Sequence, residues 1–151
     1  MYFLNKIKKL SKDKTVRIYV DMDGVIADYD FGSKLLFLNK RPIMTNIKTL
    51  REIAKLPNVS LYILSICRKD EDIADKNSWL DKYAPFFDLS KRIIISKNNK
   101  SKSSKELKLE YLNSLNTNDL IIVIDDDNAI LKYLKDNLKD IMYFQDSSII
   151  D

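Results

Sequence analysis

The chain has no histidine among its 151 residues, and that absence removes more chemistry than any single motif adds. Ser-His-Asp and Cys-His catalysis, phosphohistidine transfer and imidazole metal sites all need a ring that is missing. The single cysteine, Cys67, can close no internal disulfide and join no zinc cluster, which suits a reducing compartment. There are only two glycines and three prolines, and no stretch rich in either that would mark a linker. A chain of 151 residues supports one domain with a sizeable core, so 1–151 reads as a single unit. No apolar run approaches the roughly 18–20 residues that cross a bilayer. In the opening MYFLNKIKKLSKDK the few apolar residues precede the charges, with no apolar stretch after them. The expectation is a cytoplasmic chain, neither exported nor membrane-bound.

What remains for catalysis is carboxylate, ammonium and hydroxyl. Twenty-six Lys+Arg against 22 Asp+Glu give a formal charge of +4, a weak preference for anionic partners and equally a solvated, lysine-rich surface.

Apolar patterning alternates between strand and helix. Residues 16–20 form a β-branched run that stops abruptly at Asp21, Asp23 and Gly24, as a buried strand entering a loop does. Helical spacing follows over 31–39 and 46–56, closed by Pro57-Asn58, and 59–64 is a second strand. A helix is expected over 70–83, a short strand at 93–95, an amphipathic helix over 103–115 and a buried strand at 120–124. A helix over 128–138 and a strand at 141–144 complete the order β(αα)βαβαβαβ. That order predicts an α/β fold, a Rossmann-like parallel sheet between two helical layers.

In such sheets ligands bind beyond the carboxyl ends of the strands. The residues there are Asp21-Met22-Asp23-Gly24, then Ser65, then the lysine-dense loop KNNKSKSSK at 97–105, then Asp125-Asp126-Asp127. In extended backbone Asp21 and Asp23 face the same way while Met22 points away. Gly24, one of two glycines, suggests a positive φ or a need for room. Clustered carboxylates repel one another and call for a cation, and an all-oxygen set suits Mg²⁺. Asp125 stands at the mouth of a buried strand, whereas Asp127 reads as a helix N-cap. No segment has the spacing of a twelve-residue calcium loop.

Together, DMDGVIAD at 21–28, a strand-end Ser65, a lysine near 100 and VIDDD at 123–127 resemble, in order, the four motifs of the haloacid dehalogenase (HAD) phosphatases. DMDGVIADYD and DKNSWLDKYAPFF are similar to the 5′(3′)-deoxyribonucleotidase branch. The resemblance implies a HAD fold and an Mg²⁺-dependent phosphomonoester hydrolase. Asp21 would be the nucleophile and Asp23 the acid and base. Mg²⁺ would sit on the Asp21 carboxylate, the Asp23 carbonyl and one or both of Asp125 and Asp126. Ser65 and a lysine would bind phosphate; Lys102 is preferred over Lys100, with Lys97 and Lys105 also in the loop. Asp28 matches the motif's distal aspartate or tethers the segment after the loop. The implied substrate is a phosphorylated small molecule, a nucleotide in the branch it resembles.

Only 36 residues separate Asp28 from Ser65, so the cap, about 29–57, is minimal. Small caps leave the site open, which keeps a polynucleotide end or a phosphoprotein in play as a large substrate. Phosphotransfer to another acceptor and an inactive phosphate-binding module are the remaining alternatives. A two-component receiver domain carries its acidic pair after the first strand; here the pair comes last. Cys67 reads as a passive thiol, and Trp79, Tyr83, Phe86 and Phe87 as filling between helix and sheet rather than as a base-stacking set.

Overall fold

The apolar runs become the strands of one sheet. The computed structural model describes residues 2–29, 36–98 and 101–150. In it β1 (Val16–Val20), β2 (Val59–Cys67), β3 (Arg92–Ser96), β4 (Leu120–Asp125) and β5 (Ile141–Gln145) are all parallel, in the order β3-β2-β1-β4-β5. β1 takes the centre because both of its faces are apolar. Ile18 and Val20 point to one side and Tyr19 to the other, and all three are fully buried.

Against the Ile18 face pack α1 (Tyr2–Leu10), α2 (Met44–Ala54) and α3 (Glu71–Tyr83), through Phe3, Ile7, Ile47, Leu50, Trp79 and Leu80. Against the Tyr19 face pack α4 (Ser104–Asn113) and α5 (Asn128–Asn137), through Leu112 and Leu134. This is the three-layer α/β architecture the alternation predicted. No helix among the described residues is long and apolar enough to cross a membrane.

Helix starts follow local chemistry. Ser103 and Glu106 form a reciprocal capping box at α4. The Asp127 carboxylate accepts from the amides of Ala129 and Ile130 at the start of α5, the N-cap role expected of it.

Three segments depart from expectation. The lysine-rich opening forms α1, because Phe3, Leu4 and Ile7 recur at helical spacing, and each fully buried side chain of this kind contributes roughly 1.5–3 kcal/mol. β2 continues to Cys67, since Ser96 of β3 pairs opposite Cys67; Ser65 therefore lies inside the strand, not beyond it. Of the helix expected over 31–39, residues 31–35 lie outside those described, and Phe37–Asn39 is a single 3₁₀ turn.

That turn opens a short strap across the rim. The Trp79 indole donates to the Lys40 carbonyl at 3.0 Å, the Asp28 amide to Arg41 O at 2.8 Å and the Ile43 amide to Ile26 O at 2.7 Å.

Candidate active site

The sheet runs outward from β1 to β3, then crosses back to β4 on the other side of β1. This reversal opens a crevice between the carboxyl ends of β1 and β4. Val20 is in register with Ile124, and the Asp21 amide donates to Ile124 O at 3.0 Å, so Asp21 and Asp125 leave their strands side by side.

The chain then turns tightly around the buried Met22, whose carbonyl accepts from the amides of Val25, Ile26 and Ala27 at 2.9–3.2 Å. Gly24 serves this turn in two ways. Its φ is +78°, and a Cβ there would lie 2.3 Å from Asp126 Oδ2 and 2.7 Å from Tyr29 Cε2. Both reasons anticipated for a glycine, a positive φ and room, hold here.

Carboxylate oxygens of Asp21, Asp125 and Asp126 lie within 4.8 Å of one another. Lys108 of α4 bridges two of them, with Nζ 2.6 Å from Asp125 Oδ2 and 3.3 Å from Asp21 Oδ1. The second Asp125 oxygen accepts from the Asp127 amide at 3.0 Å, and the Tyr29 hydroxyl donates to Asp126. Asp23 turns its carboxylate to two other cations, Lys40 at 2.5 Å and Lys76 at 3.3 Å. Lys76, on α3, also donates to Ser65 Oγ at 2.7 Å and to Ile66 O at 3.1 Å.

The electrostatics follow from this crowding. Burial pushes the Asp21 carboxyl up to about 7; Lys108 and Lys76 oppose the rise, while Asp125 and Asp23 add to it. Burial also pushes Asp126 up to about 6, against the hydrogen bond from Tyr29. Burial would raise Asp23 too, but Lys76 and Lys40 outweigh it and hold that carboxyl below its ordinary value. The Asp21 end is thus short of positive charge. Three carboxylates and no nitrogen or sulfur ligand make a donor set that can hold a hard divalent cation, which would supply the missing charge.

The structure brings together Asp21, Asp23, Ser65, Asp125 and Asp126, as the sequence suggested. It does not bring Lys102: that side chain pairs with Glu110 on the solvent side of α4. Lys105 lies over the Tyr133 ring at 4.9 Å, and Lys100 falls outside the described residues. The lysine at Asp21 and Asp125 is Lys108, one helical turn beyond Lys105. Asp28 is exposed, and only its backbone tethers the strap. Cys67 is buried, its thiol pushed up by that burial, in keeping with a passive role. Trp79 and Phe87 are buried filling, as read.

Sequence reasoning missed Lys40, Lys76 and Lys108. For the last two a signal existed. Lys76, Trp79, Leu80 and Tyr83 share the spacing i, i+3, i+4, i+7, and so do Lys108, Tyr111, Leu112 and Leu115. A lysine heading an inward stripe is out of place unless it meets buried acids.

No family model matches the chain, and no curated protein matches it. Among solved structures, the HAD domain of the Legionella pneumophila effector Lem4 superposes with a TM-score of 0.57 at 15% identity, over 86% of this chain and 85% of that one. The fold is HAD-like. A chain in the Pnkp1/Rnl/Hen1 complex superposes on the HAD-like core with a TM-score of 0.71 at 16% identity, covering 87% of this chain. A second structure, of the Pnkp1/Rnl/Hen1 RNA repair complex, gives 0.70 at 16% over 88%. The present chain spans only 46% and 42% of those two chains.

Proposed function

We propose that this chain is an Mg²⁺-dependent phosphomonoester hydrolase that works through an aspartyl-phosphate on Asp21. The observation that carries the reading is the convergence of Asp21, Asp125 and Asp126 within 4.8 Å, with Lys108 spanning Asp21 and Asp125. Asp21, Asp125 and Asp126 would hold the cation, together with the Asp23 carbonyl. Bound there, it lets a phosphate dianion approach a carboxylate and neutralises charge that develops on the phosphoryl oxygens.

In the first half-reaction an Asp21 oxygen attacks phosphorus, the bond to the leaving oxygen breaks, and Asp23 gives that oxygen its proton. In the second, Asp23 takes a proton from water, the water oxygen bonds to phosphorus, and Asp21 is released as carboxylate with inorganic phosphate. Asp23 rests ionised between Lys40 and Lys76. An incoming dianion competes for the Lys40 ammonium and restores the carboxyl's affinity for the proton, taken up from solvent, that it must donate. Lys108, with one N–H beyond its two carboxylate partners, is the cation positioned to reach a phosphoryl oxygen.

For substrate, the second of the two segments similar to nucleotidases largely forms α3, which buries Lys76, Trp79 and Leu80. A specific observation favours the larger alternative, a phosphorylated nucleic-acid end. Among the described residues beside the site, Tyr29, Leu36 and Leu38 are 40–64% exposed and form a largely apolar collar. The two superposing structures from an RNA repair assembly support the same direction.

The test is hydrolysis of p-nitrophenyl phosphate with Mg²⁺, with EDTA and in Asp21→Asn. Turnover is expected to need the metal and to fall at least about 10³-fold in the variant. Metal-independent turnover or an active variant defeats the reading. A panel of deoxynucleoside monophosphates, sugar phosphates and 5′- or 3′-phosphorylated oligonucleotides then ranks the substrate classes, with oligonucleotides expected to lead.

A further inference from the structure

We infer that Lys76 is a positioning residue: its ammonium orients the Ser65 hydroxyl as a hydrogen-bond donor to the transferring phosphoryl group and ties that hydroxyl to Asp23. The inference rests on the phosphatase reading above and adds to it a residue that none of the four motifs contains.

A lysine ammonium has three N–H bonds. Lys76 spends all three inside the protein: on Ser65 Oγ at 2.7 Å, on Ile66 O at 3.1 Å and on Asp23 Oδ2 at 3.3 Å. Its side chain is 4% exposed. It therefore has no donor to offer a substrate without giving up a protein partner, whereas Lys108, on two carboxylates, has one in hand. Lys76 can act on the substrate only through the groups it holds.

Ser65 shows what that action is. It is fully buried, and its oxygen accepts from Lys76, so its own proton must point away from Nζ. Among the described residues nothing accepts that proton. A buried hydroxyl proton without an acceptor is uncommon and costs free energy. β2 pairs with β1 so that Ile63 sits opposite Val20, which places Ser65 level with the Asp21–Asp23 turn. A phosphoryl oxygen held at Asp21 is the acceptor this arrangement lacks. Ile66 O and Asp23 fix Lys76, Lys76 fixes the Ser65 oxygen, and the hydroxyl then donates in one direction. Such a donor is set before substrate arrives, and preorganised donors stabilise charge that appears only in the transition state.

The experiment compares wild type, Asp21→Asn, Ser65→Ala, Lys76→Met and the Ser65→Ala/Lys76→Met double variant, using p-nitrophenyl phosphate and Mg²⁺, with a thermal melt of each. Ser65→Ala and Lys76→Met should each lower kcat/KM about 10²-fold, the effect of losing one preorganised donor. The double variant should fall within about threefold of the worse single, because both changes remove the same hydrogen bond. Should Lys76→Met not fold, Lys76→Arg takes its place in the cycle. It keeps the charge, but its planar fork cannot meet three converging acceptors, so a loss of at least about tenfold is expected despite a near-normal melt. Losses that multiply in the double variant overturn the inference. So does wild-type kcat/KM in the Lys76 variant, or a lowered melt with turnover per folded molecule unchanged. Those outcomes leave the phosphatase reading standing. An inert wild type, or an active Asp21→Asn, removes both.

Discussion

Helices α3 and α4 lie on opposite faces of the sheet, yet each delivers one buried lysine to the same crevice. Lys76 and Lys108 both head an inward stripe, and both side chains are 4% exposed. Their surroundings differ in kind. Lys108 sits between two carboxylates, Asp125 almost wholly buried and Asp21 nearly so, and answers them with charge. Lys76 meets one carboxylate, one hydroxyl and one carbonyl, and answers them with direction. The same residue type in the same helical position can therefore neutralise or orient, and the acceptors decide which.

Removing the charge should be the costlier change. Lys108→Met leaves Asp125 and Asp21 facing each other without a counter-ion, and stripping one partner from a buried pair costs about 3–5 kcal/mol. Chemical denaturation without metal should show a loss of that size, and saturating Mg²⁺ should recover part of it, because the cation takes over the lysine's charge. If Lys108→Met were as stable as wild type without metal, the contrast between the two lysines would collapse.

Trp79→Ala sharpens the contrast from the other helix. Trp79 follows Lys76 on the α3 stripe, is 1% exposed, and holds the Lys40 carbonyl through its indole N–H. Deleting a buried tryptophan costs about 3–5 kcal/mol at full packing loss, and the lower end is expected here because Phe37 and Tyr83 flank it and can close in. Both cations on Asp23 should loosen with it. A variant that lost stability but kept kcat/KM would show that α3 places Lys76 without help from the strap.

Gly24→Ala is smaller in stability but aimed at the Asp21 side. The left-handed φ costs about 1–3 kcal/mol for a side-chain-bearing residue, and the new Cβ would displace Asp126, whose oxygen lies 2.3 Å from that position. Mg²⁺ affinity, read by the metal's thermal stabilisation of the protein, should fall more than the melt of the metal-free protein does. Equal losses with and without metal would disconnect Gly24 from the carboxylate cluster.

The two acidic tips were legible because each follows a short, mainly apolar and β-branched run, and an aspartate that ends such a buried strand stands at the mouth of the sheet. Asp21 after Val20 and Asp125 after Ile124 both follow that rule. Gly24 was legible because glycine is so scarce in this chain. α1 was hidden because Lys6, Lys8 and Lys9 make the segment look like a solvated tail, although its apolar residues had the right spacing. The cationic half of the site was hidden for a related reason. Composition gives every lysine the same solvated appearance, and only alignment with neighbours three, four and seven residues on distinguishes a lysine that turns inward. Lys40 carries no such pattern; its place depends on the strap, whose hydrogen bonds to Trp79, Asp28 and Ile26 bring together residues far apart in sequence.

Lys102 is where that argument meets its smallest and most direct check. It lies in the loop where a motif lysine would be sought, but it has no apolar stripe ahead of it and its ammonium reaches Glu110 on the exposed side of α4. An ion pair held in water gains little from charge and pays in side-chain freedom. Lys102→Met should therefore leave the denaturation midpoint, the Mg²⁺ response and kcat/KM at wild-type values within error, while Lys108→Met changes all three. A drop in kcat/KM for Lys102→Met beyond about threefold, against the near-zero expectation for an exposed pair, would mean that Lys102 leaves Glu110 when substrate binds. Lys102 would then share with Lys108 the role proposed for that lysine toward the phosphoryl group.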